Sequence, residues 1–151
     1  MTFHQNYTII FKGGEKSTEE LLKTLKENSL ETYLSNNTGE LVDSPIYKYL
    51  EKIIEDKVLK KSDIIKKSGV QTNYAYQIFS GLKIPSRDKL IALCFGMELS
   101  LDEAQTLLKY AGYAKLYPRT KRDSIIIDAL EKHINIINCN ITLDKFNLSP
   151  L

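Results

Sequence analysis

The sequence predicts an all-α protein: an N-terminal segment with one amphipathic helix over residues 1–43, five helices over residues 44–112, and a C-terminal helical hairpin over residues 113–151. Three observations carry that prediction. Apolar residues recur three and four positions apart in most stretches, the spacing that lines one face of a helix. Helix-start chemistry precedes those stretches, as at Ser17 with Glu20 and at Ser100 with Glu103, both spaced as capping boxes. Glycines close them, at Gly69, Gly81 and Gly112, where a helix end needs a left-handed residue.

In chain order, the only β-like stretch comes first, YTIIF at residues 7–11, stopped by Gly13 and Gly14. A single strand forms no sheet alone. It pairs with its copy across a dimer axis, packs as an extended arm, or lies loose. Ser17 then opens a helix over about residues 18–28 with Leu21, Leu22 and Leu25 inside, and a further turn or two is expected around Leu30, Tyr33 and Leu34. Asn36, Asn37 and Gly39 break the pattern and mark the domain boundary. Ser44 and Pro45 start the first central helix, serine as cap and proline at the first helical position, with Ile46, Leu50, Ile53 and Ile54 buried.

The second central helix is capped by Ser62, buries Ile64 and Ile65, and ends at Gly69. The third, over residues 71–80, turns Ala75, Ile78 and Phe79 inward and leaves Gln71, Thr72, Asn73, Tyr76 and Gln77 as a polar outer surface. Ser86 caps the fourth, which turns Leu90, Leu93 and Cys94 or Met97 inward, and Ser100 opens the fifth, which runs through Leu107 and Leu108 to Gly112. Pro118 forces a connection over residues 113–118. A helix with Ile125, Ile126, Ala129 and Leu130 on its apolar face follows, and Asn135 caps a last helix ending near Asn147. Ile125, Ile126 and Ile127, with Ile136 and Ile137, give this region more apolar surface than one short hairpin needs. It serves self-association, or it covers the back of the central helices.

Length, composition and charge bound the function classes. The 151 residues suffice for one domain with a core, or for a compact domain with an appendage. No apolar run reaches the length of a transmembrane helix, and the polar start lacks the features of a signal peptide, so the expectation is a cytoplasmic protein. Cys94 and Cys139 each sit in an apolar helical pattern and read as core thiols rather than a disulfide. The net charge of +2 hides an asymmetry. Residues 57–91 carry eight basic against two acidic side chains, net +6, while the segment before them is −4 and the segment after them is neutral. Such a concentration suits a polyanion.

The stretch KKSDIIKKSGVQTNYAYQIFSGLKIP at residues 60–85 resembles the helix-turn-helix of the phage-repressor, or XRE-type, DNA-binding family. The resemblance lies in Ile64 and Ile65, Gly69, Val70, the polar run at residues 71–80 and Gly81, and it extends over residues 46–112. The chain as a whole, including the tract at residues 110–122, is similar to a group of small helix-turn-helix proteins of low-GC Gram-positive bacteria. The resemblance implies a five-helix repressor-like domain that binds double-stranded DNA as a transcriptional regulator, with residues 71–80 as the recognition helix. It places Thr72, Asn73 and Gln77 at base-reading positions, Gln71 at the helix entry and Tyr76 against a thymine methyl or sugar. Asn and Gln bind adenine bidentately, so an A·T-containing half-site is expected. Lys60, Lys61, Lys83 and Arg87 would neutralise phosphates, which position without specifying. The family works as dimers on half-sites about 34 Å apart, so a homodimer is expected. For Gln71 the competing reading is a helix cap, and for Tyr76 a surface shield.

One departure concerns packing. The family usually has alanine where this chain has Ile65 and a larger aliphatic residue where it has Ala75, at positions that face each other. Exchanging large for small conserves the summed volume, which cores tolerate.

Two rival readings compete with DNA binding. Catalysis finds little support: His4 and His133 have no partners at metal spacing, no nucleophile motif is present, and the Gly13 to Ser17 stretch lacks the Gly-Lys pair of a phosphate-binding loop. No cofactor or metal is expected. The stronger rival is a protein-interaction module on the same scaffold, an antitoxin, adaptor or phage-encoded inhibitor that meets its partner through the N-terminal or C-terminal helices.

Overall fold

The computed structural model describes residues 16–41 and 44–151, so the apolar run at residues 7–11 lies outside the described residues. Those residues form nine α-helices and no strand, an all-α protein as the periodicity predicted. The chain divides into two compact units, residues 1–44 and residues 45–151.

The N-terminal unit holds α1 (Thr18–Glu27), α2 (Leu30–Asn36) and a 3₁₀ turn (Thr38–Glu40). Both halves of the capping box form at α1: the Ser17 hydroxyl accepts from Glu20 N at 3.1 Å, and Glu20 Oε2 accepts from Ser17 N at 2.8 Å. Asn37 is buried and anchors the turn, donating to Tyr33 O at 2.9 Å and accepting from Lys16 Nζ at 2.7 Å. The expectation that Leu21, Leu22 and Leu25 lie inside is corrected. No residue of α1 or α2 is buried, and Leu22, Leu25, Leu30 and Leu34 are exposed. Among the described residues, capping rather than a fully buried face defines these helices.

The larger unit is built from α3 (Ile46–Asp56), α4 (Lys61–Ser68), α5 (Thr72–Phe79), α6 (Arg87–Gly96), α7 (Leu101–Tyr110), α8 (Lys121–Glu131) and α9 (Ile136–Lys145). At its centre is α6, whose residues 90–96 are all buried, along with Met97 and Leu99 beyond its end. An amphipathic reading placed only three of these inward. The run LIALCFGM has no polar side to keep in water, so neighbours can cover it all round, each large side chain contributing about 1.5–3 kcal/mol on burial. Gly96 permits the closest approach, since a Cβ there would lie 2.4 Å from Ile64 O and 2.9 Å from Ser68 Cβ on α4. Tyr49 stacks on Tyr110 with centroids 4.1 Å apart, joining α3 to α7. Cys94 and Cys139 are buried free thiols, and burial pushes them up to about 12 and about 11.

Local boundaries shift by a residue or two from expectation. Pro45, not Ser44, is the cap of α3, and Tyr49 takes the buried place expected of Ile46. Lys60 caps α4, so Ser62 lies inside the helix rather than at its entry. Ser86, Ser100, Thr120 and Asn135 each accept the backbone N–H three residues on, as N-cap side chains do.

Residues 113–151 fold into the same compact unit as the central helices. Two adjacent pairs of opposite charge bind reciprocally. Arg87 Nη2 meets Asp123 Oδ2 at 2.9 Å, and Arg122 meets Asp88 through two hydrogen bonds at 2.9 and 3.0 Å. Asp123 also accepts from Tyr117 N at 2.9 Å, and Arg122 donates to Ser149 O at 3.0 Å and Pro150 O at 3.3 Å. The clasp thereby fixes the start of α8, the 113–118 connection and the chain end against the start of α6.

Candidate nucleic-acid interface

Two short helices and a three-residue turn set the site. α4 ends at Gly69 with φ +69°, where a left-handed residue costs glycine little. Ser68, buried beside it, donates to Ile65 O at 3.0 Å and accepts from Val70 N at 3.2 Å, so a side chain replaces the helical bonds that the turn gives up. Val70 is buried and Gln71 starts α5 as its cap, Oε1 accepting from Tyr74 N at 3.1 Å. The capping alternative for Gln71 is therefore occupied, with its amide nitrogen left over for other partners.

α5 buries Ala75, Ile78 and Phe79 and turns Thr72, Asn73 and Tyr76 to solvent, with Gln77 half-exposed. Asn73 and Gln77, four apart, share one row, and Thr72 and Tyr76 share the next. No described residue hydrogen-bonds the side chains of Thr72, Asn73 or Gln77. Tyr76 meets Phe79 edge to face at 6.4 Å, and Lys61 Nζ stands 5.8 Å over the same Phe79 ring. Lys61 thus flanks the C-terminal half of α5. Ile65 and Ala75 are both buried.

The end of α5 is fixed from behind. Gly81 has φ +85°, and a Cβ on it would fall 2.6 Å from the Tyr47 ring. Leu82 N and Lys83 N both donate to Gln77 O, at 2.9 and 3.1 Å, so the loop carrying Lys83 is held to the last turn of the helix.

The cations sort into two groups. Lys60, Lys61 and Lys83 are exposed and form no ion pair among the described residues. Arg87, expected among the phosphate ligands, is engaged within the fold: Asp123 and the carbonyl oxygens of Ala114 and Lys115 accept from its guanidinium. Lys57 pairs with Glu103 at 3.5 Å and Lys67 with Glu98 at 2.9 Å, so two of the eight cations counted over residues 57–91 already face carboxylates. Lys66 faces elsewhere, lining a groove of about 840 Å³ with Phe95, Leu130, His133 and Ile137.

Sequence reading missed Ser68 and Tyr47. Neither had a signal available in advance, since each acts through a contact made only after folding. No group of three or more His, Cys, Asp or Glu side chains among the described residues could hold a metal ion, and no helix among them is long and apolar enough to cross a membrane. Compared with family models, with curated proteins and with solved structures, the chain matches none.

Proposed function

We propose that the protein binds double-stranded DNA sequence-specifically as a transcriptional regulator, laying α5 in the major groove. The observation that carries this reading is the outer face of α5, where the side chains of Thr72, Asn73 and Gln77 have no hydrogen-bond partner among the described residues, next to Lys60, Lys61 and Lys83, which form no ion pair among them. Helix, tight glycine turn and polar second helix are the parts of an XRE-type helix-turn-helix. The scaffold behind α5, with Ser68 in the turn and Tyr47 against Gly81, holds that face rigidly. Asn73 and Gln77 read base edges, Thr72 and Tyr76 border them, Gln71 stands at the helix entry, and the three lysines position the duplex through phosphates. One such module reads few base pairs, so a homodimer on two half-sites is part of the proposal.

Asn73→Ala with Gln77→Ala is the test, measured by titrating the selected site and a random duplex. Site preference falls by on the order of tenfold or more for each lost bidentate contact, at about 1–3 kcal/mol each, while random-duplex binding changes little. Equal loss on both duplexes would take these two residues out of the groove. Absence of any duplex binding at low salt would end the DNA reading, since the non-specific component needs only the lysines.

A second reading, a protein-interaction module on the same scaffold, draws on the exposed leucines of α1 and α2. A protein that captures no duplex at low salt while its acidic N-terminal unit binds a basic protein partner would establish it.

A further inference from the structure

Six helices of the larger unit end in the same way. A left-handed residue follows the helix, at Val58, Gly81, Glu98, Gly112, His133 and Asn147, and the next residue donates its N–H back to the carbonyl five positions earlier. In this Schellman arrangement the residue after the left-handed one is typically apolar and packs back on the helix it closes. Leu59, Leu99, Tyr113, Ile134 and Leu148 are buried or half-buried there. Leu82 breaks the pattern at 70% exposure, and Ile84, two residues on, is 78% exposed. Lys83 lies between them, without an ion pair among the described residues.

This exposure does not come from a loose loop. Gly81 and Tyr47 fix the backbone at its start, and two hydrogen bonds to Gln77 O tie residues 82 and 83 to α5. At its far end, Pro85 is buried and its carbonyl accepts the Tyr113 hydroxyl. The fold therefore presents two large apolar side chains, around one lysine, at a set distance from the α5 face. Leaving both in water forgoes burial of the usual kind, and a phosphate contact needs only the lysine.

We propose that Leu82 and Ile84 form an apolar clamp on the same DNA duplex, packing on deoxyribose rings and thymine methyls beside the phosphate that Lys83 meets. The proposal rests on the DNA-binding reading and commits to duplex DNA as the occupant, because the patch is tied by two hydrogen bonds to Gln77 of α5 and is centred on a lysine with no ion pair among the described residues. It adds a component of affinity that salt does not screen. Phosphate contacts release counterions and set the slope of log affinity against log salt, at about 0.9 per phosphate on B-DNA, whereas an apolar contact shifts the line without tilting it.

The two contributions separate in one experiment on the full chain, titrating a random-sequence duplex over a range of salt. Leu82→Ser with Ile84→Ser lowers affinity on the order of tenfold at every salt concentration and leaves the slope unchanged. Lys83→Ala reduces the slope by about one. Both side chains are exposed, so the double variant keeps the circular-dichroism spectrum and melting temperature of the parent. Wild-type affinity in the double variant overturns the clamp while leaving the DNA reading in place. A drop in oligomer mass on substitution, measured without DNA, overturns it too, by assigning the patch to a second copy. A parent chain that binds no duplex removes the DNA reading, and the clamp falls with it.

Discussion

Glu103 is held by one oxygen and stranded by the other. Its Oε1 accepts Ser100 N at 2.8 Å and lies 3.5 Å from Lys57 Nζ, while Oε2 is buried with no hydrogen-bond partner among the described residues. Burial pushes the carboxyl up to about 7 from its ordinary 4.5, against the opposing hydrogen bond from the Ser100 backbone. Burial also lowers Lys57. A carboxyl raised on folding favours the folded state while protonated, so its contribution is complete below about pH 4.5 and is lost as pH rises through about 7. The urea midpoint of the wild-type chain should fall between about pH 5 and pH 8, by the equivalent of on the order of 1–2 kcal/mol after allowing for water and for Lys57. Glu103→Gln, which keeps an acceptor for Ser100 N, should remove that slope. Parallel pH profiles for the two proteins would show that the stranded oxygen is solvated.

Among elements, the reciprocal clasp decides how α8 sits on α6. Its two halves are unequal: the Asp123 side chain is 11% exposed and Asp88 45%. Removing Asp123 leaves the Arg87 guanidinium half-buried without its counter-charge and strips Tyr117 N of its acceptor. Asp123→Ala should therefore cost about 2–4 kcal/mol and Asp88→Ala below about 1 kcal/mol, both by denaturant unfolding. Combining Asp123→Ala with Arg87→Ala should recover part of the loss, since the stranded charge goes too. An Asp88 variant as unstable as the Asp123 variant would refute the ranking. The clasp also marks where sequence reading stopped. Caps at Ser17, Ser86, Ser100 and Asn135 were legible because each bonds within three residues of itself. The turn at Gly69 and the split of α5 into buried Ala75, Ile78, Phe79 and an outer polar face were legible for the same local reason. Arg87 was not, because its partner lies 36 residues away and nothing beside an arginine in sequence says whether a carboxylate will reach it. The full burial of α6 escaped for a related cause: a helix enclosed on all sides has no period to read.

At the scale of the whole molecule, the C-terminal hairpin buries one apolar face and leaves another exposed. Ile126, Ala129, Leu130, Ile136, Cys139 and Leu143 are buried, so one face covers the central helices. The other face of α9 keeps Ile137 at 67% and Ile141 at 61% exposure, four residues apart on one stripe. A two-fold contact requires the same patch to supply both a protrusion and a hollow. Ile137 borders the groove of about 840 Å³ whose walls include Phe95, Leu99, Leu130 and Ile134. The proposed homodimer therefore has a candidate surface in this unit, the Ile137 and Ile141 stripe beside that groove. Ile137→Glu with Ile141→Glu places two charges on the stripe without touching the buried face, so folding should survive. Sedimentation should show the wild-type chain as a dimer and the variant as a monomer. Operator binding by the variant should weaken and lose cooperativity, because two separate modules must then find adjacent half-sites, while its affinity for a single half-site stays unchanged. A variant that remains dimeric would move the interface off α9, and a wild-type chain that is monomeric at every concentration tested would leave pairing to the DNA itself.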